Sequence, residues 1–267
     1  MHKTVGMLAV VLAIIIALPN VSSAQDHPRK YGLEFQLGGG YYLMEDVNNF
    51  LPADFFGYEP DKVNIGSQFG FGIIYRHKDN FGWNIGYNKL ATGVPVALEE
   101  KYEVRTYLPG AAYESWVEQT VSGGEFYLMA IWYGHLGGLE TMFGIGPSFY
   151  GATLDRSIDI VRDATGSHLT GGSFFDATGN CLGMIASLGL EFPIGENSGL
   201  SIQFGGRIAD IGELKYDDPN AQSGELVVYK NASTGSPMGV DFTGGFAKLT
   251  LRTYFKPTDN WRSYPQK

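Results

Sequence analysis

The stretch Leu33-Glu34-Phe35-Gln36-Leu37-Gly38-Gly39-Gly40-Tyr41-Tyr42 is sorted by a period of two. Leu33, Phe35, Leu37 and Tyr41 fall on odd positions; Glu34, Gln36, Gly38 and Gly40 fall on even ones. A helix would scatter these residues around its axis, whereas a strand puts them on opposite faces. One face is therefore greasy and ends in an aromatic, and the other is polar or small.

The same alternation recurs along the chain. Phe69, Phe71, Ile73 and Tyr75 alternate with Gln68, Gly70, Gly72 and Ile74. Phe81, Trp83, Ile85 and Tyr87 alternate with Gly82, Asn84, Gly86 and Asn88. Phe143, Ile145, Pro147 and Phe149, then Leu182 to Phe192, Leu200 to Ile208 and Ala247 to Phe255, repeat the pattern. Phe126 to Tyr133 is apolar on both faces, so a strand is read there without its facing. Pro147 removes a ladder donor from the middle of its strand.

These segments make about eight strands, and their connections alternate in length. His77 to Asn80, Gly134 to Gly138 and Gly195 to Gly199 are short. The connections near 43–64, 91–112, 155–178 and 214–238 are long. Four long loops on one edge are unusual for a soluble domain and ordinary for a barrel with tight turns on one side of a membrane and long loops on the other. Strands of about 10 residues, at roughly 3.3 Å each and tilted by about 40°, cover an apolar band about 25 Å tall. Lipid cannot satisfy an open strand edge, so the sheet must close on itself. The fold class is all-β: a transmembrane antiparallel up-and-down barrel of about eight strands. Ten is the alternative if Tyr102–Tyr107 and Tyr113–Val121 pair within the bilayer. Met44 to Phe50 reads as a helical turn.

The ends and the composition fit export. Lys3 precedes an apolar run from Met7 to Leu18, broken by Pro19-Asn20, and Ser22-Ser23-Ala24 supplies small residues for cleavage. This is the three-part pattern of a secretory signal peptide. Residues 1–24 are read as that segment, 25–255 as the barrel and 256–267 as a tail. The chain carries a net charge of −9, and removing a segment whose only charge is Lys3 leaves −10. Nucleic acid calls for clustered basic residues, so it is not a partner. The single cysteine, Cys181, excludes an internal disulfide and a thiolate metal site. The 37 glycines disfavour helices, and the 17 Phe, 16 Tyr and 4 Trp suit strands and membrane-interface belts.

The Gly-aromatic strand Phe69-Gly70-Phe71-Gly72 and the closing strand Gly244-Gly245-Phe246-Ala247-Lys248-Leu249-Thr250-Leu251-Arg252-Thr253-Tyr254-Phe255, together with the leader, resemble the small outer-membrane β-barrel superfamily of the OmpA/OmpX type. The resemblance implies a Gram-negative outer membrane as the location. It also implies outer-membrane lipid and the barrel-assembly machinery as partners, with Phe255 as the terminal aromatic of the assembly signal. No peptidoglycan-binding domain is expected.

The polar faces of the strands carry Glu34, Gln36, Asn84, Glu140, Glu191, Gln203, Arg207, Lys248 and Arg252. An eight-stranded bore is just wide enough for side chains to fill it, so these residues are expected to form a plug of ion pairs, with Arg offering bidentate geometry to carboxylates. The same residues lining an ion path are the alternative. No cofactor or metal is implied. His168 with Ser167 or Ser173 on the third long loop is the nearest thing to a nucleophile and base, and it matches no motif, so the chain is not read as an enzyme. Asp210, Glu213, Asp217 and Asp218 read as a hydrated acidic loop, although hard cations take such oxygens. The Gly-x-Gly runs lie within strands and are not nucleotide fingerprints. The expected function is a structural or surface-interaction barrel, monomeric, with its ligand unnamed. A small-solute channel, a soluble periplasmic lipid-binding barrel with the greasy face inside and, at low weight, a lipid-modifying enzyme are the alternatives.

Overall fold

A computed structural model describes residues 30–49, 63–92, 100–108, 111–162, 168–169, 175–195, 197–217, 226–230 and 235–255. The reading of residues 1–24 as a leader and 256–267 as a tail lies outside them. Eight long strands follow one another: β1 (Tyr31–Tyr42), β2 (Ile65–Lys78), β3 (Phe81–Thr92), β5 (Ala111–Leu136), β6 (Leu139–Arg162), β8 (Phe175–Pro193), β9 (Ser198–Ile208) and β14 (Gly244–Phe255). Each pairs antiparallel with its predecessor and successor, and β14 returns to β1 through twelve paired positions from Tyr31↔Phe255 to Tyr42↔Gly244. The ladder has no end, so the wall is a closed eight-stranded up-and-down barrel. The ten-strand alternative is wrong. Residues 100–119 do pair, but above the wall, because the ladders of β3 and β5 already complete the circuit below them.

The strands change partners at short turns on one end. Residues 79–80 join β2 to β3, and residues 137–138 join β5 to β6. Gly137 takes φ 62°, which a side-chain-bearing residue adopts only with strain. At Pro147 the β5–β6 ladder skips from Tyr127↔Ser148 to Ala130↔Ile145, while Pro147 keeps its place opposite Met184 on β8. The missing donor is thus absorbed on one edge only.

Small elements occupy the other end. They are α1 (Glu45–Asn49), β4 (Glu100–Leu108), β7 (His168–Leu169), β10 (Asp210–Ile211), β11 (Lys215–Asp217), β12 (Leu226–Val228) and β13 (Val240–Asp241). α1 falls where a helical turn was read. β4 lies along the upper part of β5, which itself continues beside β6 as far as Tyr113↔Arg162. Much of the two long connections at 91–112 and 155–178 is therefore sheet standing above the barrel.

β9 leaves the wall at Ile208, its last pair with β8 being Met184↔Ile208. The chain then turns across the mouth, where β10 pairs with β13, and rejoins β8 at Lys215↔Thr178. This crossing passes so close to β8 that a Cβ on Gly183 would lie 2.3 Å from the Ile208 carbonyl oxygen, and one on Gly179 2.7 Å from that of Glu213. Glycine at these two places lets the mouth close against the wall.

Candidate functional site: the filled bore and its cap

Alternation along each strand leaves every side chain facing either outward or into the bore. The outward set is apolar and bare: Phe35 is 62% exposed and Leu182 82%, with Leu37, Phe69, Phe71, Ile73, Leu188 and Phe204 alike. Rings gather at the short-turn end, where Tyr31 stacks on Tyr75 at 5.2 Å between centroids. Phe81 meets Trp83 and Trp132 at 5.4 Å, and Trp132 meets Phe143 at 5.7 Å. The inward set is buried and carries the polar and charged residues, with one apolar cluster among them. Glu34, Gln36, Asn84, Glu140, Glu191, Gln203, Arg207, Lys248 and Arg252 all lie inside. A soluble barrel is built the other way round, greasy within and polar without.

This is a closed eight-stranded up-and-down barrel with its apolar face outward.

No protein-family model matches the chain, and no curated protein matches it. Among solved structures it is similar to Neisserial surface protein A, at 12% identity over 86% of this chain and 100% of that one, with a TM-score of 0.39. It is similar to the outer membrane protein OprG from Pseudomonas aeruginosa, at 10% identity over 86% and 98%, with a TM-score of 0.44. It is also similar to the outer membrane protease OmpT from Escherichia coli, at 9% identity over 90% and 100%, with a TM-score of 0.32. The closed ladder and inverted polarity of the barrel itself define its fold. The greasy-inside lipid-carrier alternative is overturned by that same polarity.

Three polar layers fill the bore. In the central layer Arg252, 1% exposed, bridges two carboxylates. Its Nε donates to Glu34 Oε2 at 3.1 Å, its Nη2 lies 3.0 Å from the same oxygen, and its Nη1 donates to Glu191 Oε2 at 3.1 Å. Tyr254 Oη donates to the same Glu191 oxygen at 2.9 Å. The other oxygen of Glu34 accepts from Asn84 Nδ2 at 2.6 Å, from Tyr127 Oη at 3.0 Å and from the Gln36 amide. Lys248 Nζ donates to Gln36 Oε1 at 2.7 Å. Beside this cluster the Gln203 amide donates to Ser201 Oγ and Thr250 Oγ1 at 3.1 and 3.2 Å.

The layer above centres on Glu125, fully buried. Asn88 Nδ2 donates to it at 2.7 Å, Tyr150 Oη donates to its other oxygen, and Arg207 Nη2 lies 3.8 Å away while donating to Gln68 Oε1. The Arg207 guanidinium also sits over the Phe246 ring at 4.7 Å, a cation–π contact. Below, Arg76 pairs with Glu140 and lies 3.7 Å over the Tyr133 ring. Among the described residues the bore thus balances Glu34, Glu125, Glu140 and Glu191 against Arg76, Arg207, Lys248 and Arg252.

Sequence reading missed Glu125, Arg76, Gln68 and Asn88. Glu125 opens the segment whose two faces are both apolar, so its facing had no polar partner residue to declare it. The structure settles that facing: Tyr127, Met129, Ile131 and Tyr133 point inward, where they pack with Met142, Ile185 and Phe246. Asn88 and Gln68 were visible on the even positions of their strands and belonged with Asn84.

Over the polar layers lies an apolar cap. Met44, Val47, Val63, Ala209, Ile211, Leu214, Met238, Val240 and Phe242 meet the upper inward residues Tyr42, Leu90, Val121, Tyr150 and Leu154, all buried. Phe242 packs edge-on against Tyr42 at 5.6 Å and stacks near Tyr150 at 6.4 Å. Backbone bonds hold the cap: Leu43 N–H to Thr243 O at 3.0 Å, Phe242 N–H to Ala209 O at 2.8 Å and Leu214 N–H to Met238 O at 2.8 Å. Asp46 on α1 accepts from the Gly239 N–H at 3.1 Å. Cys181 is half-buried against this cap.

The remaining sequence candidates sit apart from the bore. Phe255 ends β14 on the outer surface, opposite Tyr31. His168 pairs through β7 with Val161, and Ser167 and Ser173 lie outside the described residues. Asp210 is taken up in the β10–β13 ladder opposite Asp241, and Glu213 pairs with Lys215 at 3.3 Å. Asp217 is in β11, and Asp218 lies outside the described residues. Among the described residues no group of three or more His, Cys, Asp or Glu is placed to hold a metal ion.

Proposed function

We propose that the chain is a Gram-negative outer-membrane protein, exported by its N-terminal segment, whose barrel is a sealed anchor for the structure above the membrane. Its role is structural or surface-interacting. It acts neither as a channel nor as an enzyme, and partner recognition belongs to the upper sheet and loops. The observation that carries this reading is the double closure of the bore. Buried charge pairs cross the bore at Arg252, where their strong local field would trap a passing ion, and a cluster of buried apolar side chains caps the bore above them.

The test is conductance in a planar lipid bilayer, on protein whose mobility in SDS shifts only on boiling. A sealed anchor gives the mobility shift and no steady current. A steady ohmic conductance would make the chain a small-solute channel and sink the proposal.

A further inference from the structure

β4 lies along the part of β5 above its ladder with β3 and, among the described residues, pairs only with β5. Among the described residues its second edge has no strand paired with it. Such edges recruit other strands unless they are blunted, and the sequence of this one specifies which strand fits. On its β5 side Lys101 stands opposite Glu118 and Arg105 opposite Glu114, so both β4 cations have an acidic residue across the ladder. Glu103 stands opposite Trp116 and has no cation opposite it there.

We propose that the free edge of β4 binds the same edge of a second copy of this chain, antiparallel and centred on Val104, and so joins two membranes face to face. This rests on the surface-interaction reading above and names its partner. With Val104 opposite Val104 of the second copy, Glu103 comes opposite Arg105 of the second copy, and Arg105 opposite its Glu103. Tyr102 comes opposite Thr106, and Lys101 opposite Tyr107. Opposite charges in directly facing positions stabilise a strand pair, and like charges there destabilise it. A sheet of eight strands results, β7-β6-β5-β4 continued by β4-β5-β6-β7 of the second copy.

The symmetry dictates the geometry. Two identical antiparallel strands are related by a two-fold axis perpendicular to their sheet, an isologous contact. The barrel wall runs along the membrane normal, so that axis lies in the membrane plane and inverts the normal. The two copies must therefore sit in opposing membranes; copies in one membrane would need an axis along the normal. The distances allow it. Ser115, opposite Val104, is about eleven residues above Phe126, the uppermost exposed apolar residue of β5 among those whose side chains are described. That is roughly 36 Å of strand and, at a tilt of about 40°, roughly 28 Å of height. The two apolar bands would stand roughly 56 Å apart, while the sheet tip at Ala111 rises roughly 38 Å, so neither tip meets the opposite membrane.

Charge exchange tests the pairing. The full chain is reconstituted into phospholipid vesicles, half of them with a donor dye and half with an acceptor, and clustering is read by energy transfer. Wild-type vesicles should cluster with one another and not with protein-free vesicles. Glu103→Arg and Arg105→Glu vesicles should each lose self-clustering at least tenfold. Mixing the two variants should restore it, because one strand then presents two cations at positions 103 and 105 to the two carboxylates of the other. Absent wild-type clustering, undiminished clustering of either variant, equal clustering with protein-free vesicles or failure of the mixture would each overturn the proposal. The boiling-dependent mobility shift is measured on every preparation. A shift without clustering defeats this inference alone; a wild-type chain with no shift defeats the barrel reading as well.

Discussion

The polar bore and the apolar cap stop the same opening with opposite chemistry. In the bore, each strand residue has only two destinations, lipid or lumen, and lipid takes the greasy ones. What remains for the lumen is polar, the lumen is narrow, and charges held there must be paired. The cap is made by connecting segments that owe nothing to that alternation. Ala209, Ile211, Leu214, Met238, Val240 and Phe242 come together as the core of a soluble protein does, by leaving water. Burial therefore tracks hydrophobicity in the cap and runs against it in the barrel wall, where the greasiest side chains are the most exposed.

The difference predicts how each region fails. Arg252→Ala should have the largest effect, because it leaves both Glu34 and Glu191 without their shared cation. Removing one member of a buried ion pair costs about 3–5 kcal/mol. The expected outcome is loss of the boiling-resistant band at a lower temperature, together with a lower urea midpoint for the whole barrel. A change under about 1 kcal/mol would mean that the network is ornamental to stability.

Phe242→Ala removes a ring from the cap and should cost about 3 kcal/mol, in the range for large core truncations. That cost should be local, since the ladder beneath does not depend on the cap. Limited proteolysis should cut the segments around the cap faster, while the boiling-resistant band persists. If this variant instead unfolds the barrel, cap and bore form one cooperative unit and the comparison collapses.

The smallest effect belongs to the upper part of the sheet. Asp155 on β6 stands directly opposite Asp176 on β8, six residues beyond the outward ring of Phe149. Burial, then a hydrogen bond from one carboxyl to the other, then the Asp176 charge, push the Asp155 carboxyl above its ordinary value of 3.8. A carboxyl raised in the folded state weakens the fold when ionised, so stability should rise as pH falls through the raised value and level off below 3.8. Asp176→Asn should lift the urea midpoint slightly at pH 7 and leave it unchanged at pH 3. Both groups are exposed, so 1 M salt should erase the difference. An equal shift at both pH values would show that the pair is not the cause.

The eight wall strands were legible wherever the two faces differ in chemistry, as in Leu33 to Tyr42. Phe126 to Tyr133 was not, because its lumen face contributes the apolar layer of Tyr127, Met129 and Ile131. There both destinations accept the same residue types, and periodicity carries no sign. The bore residues on readable strands could be named; Arg76, at a strand end, and Glu125, at the edge of the ambiguous segment, could not. The cap was missed for a different reason. Ile208-Ala209-Asp210-Ile211 and Met238-Gly239-Val240-Asp241-Phe242 lie within or beside a connection read as one hydrated loop, yet the second alternates with a period of two and the first sets only one polar residue among three apolar ones. Such short runs show their apolar side only when paired with one another.

The bond from Arg252 to Glu34 spans 218 positions of sequence and lies across the ladder of β14 with β1. The first strand to emerge thus carries an acid whose counter-charge arrives with the last. Until residues 244–255 are in place, Glu34 faces an open edge with neither Arg252 nor, through Gln36, Lys248. A chain that stops short leaves both an unpaired edge and an unpaired charge. The clasp thereby makes closure of the barrel wait on its last strand.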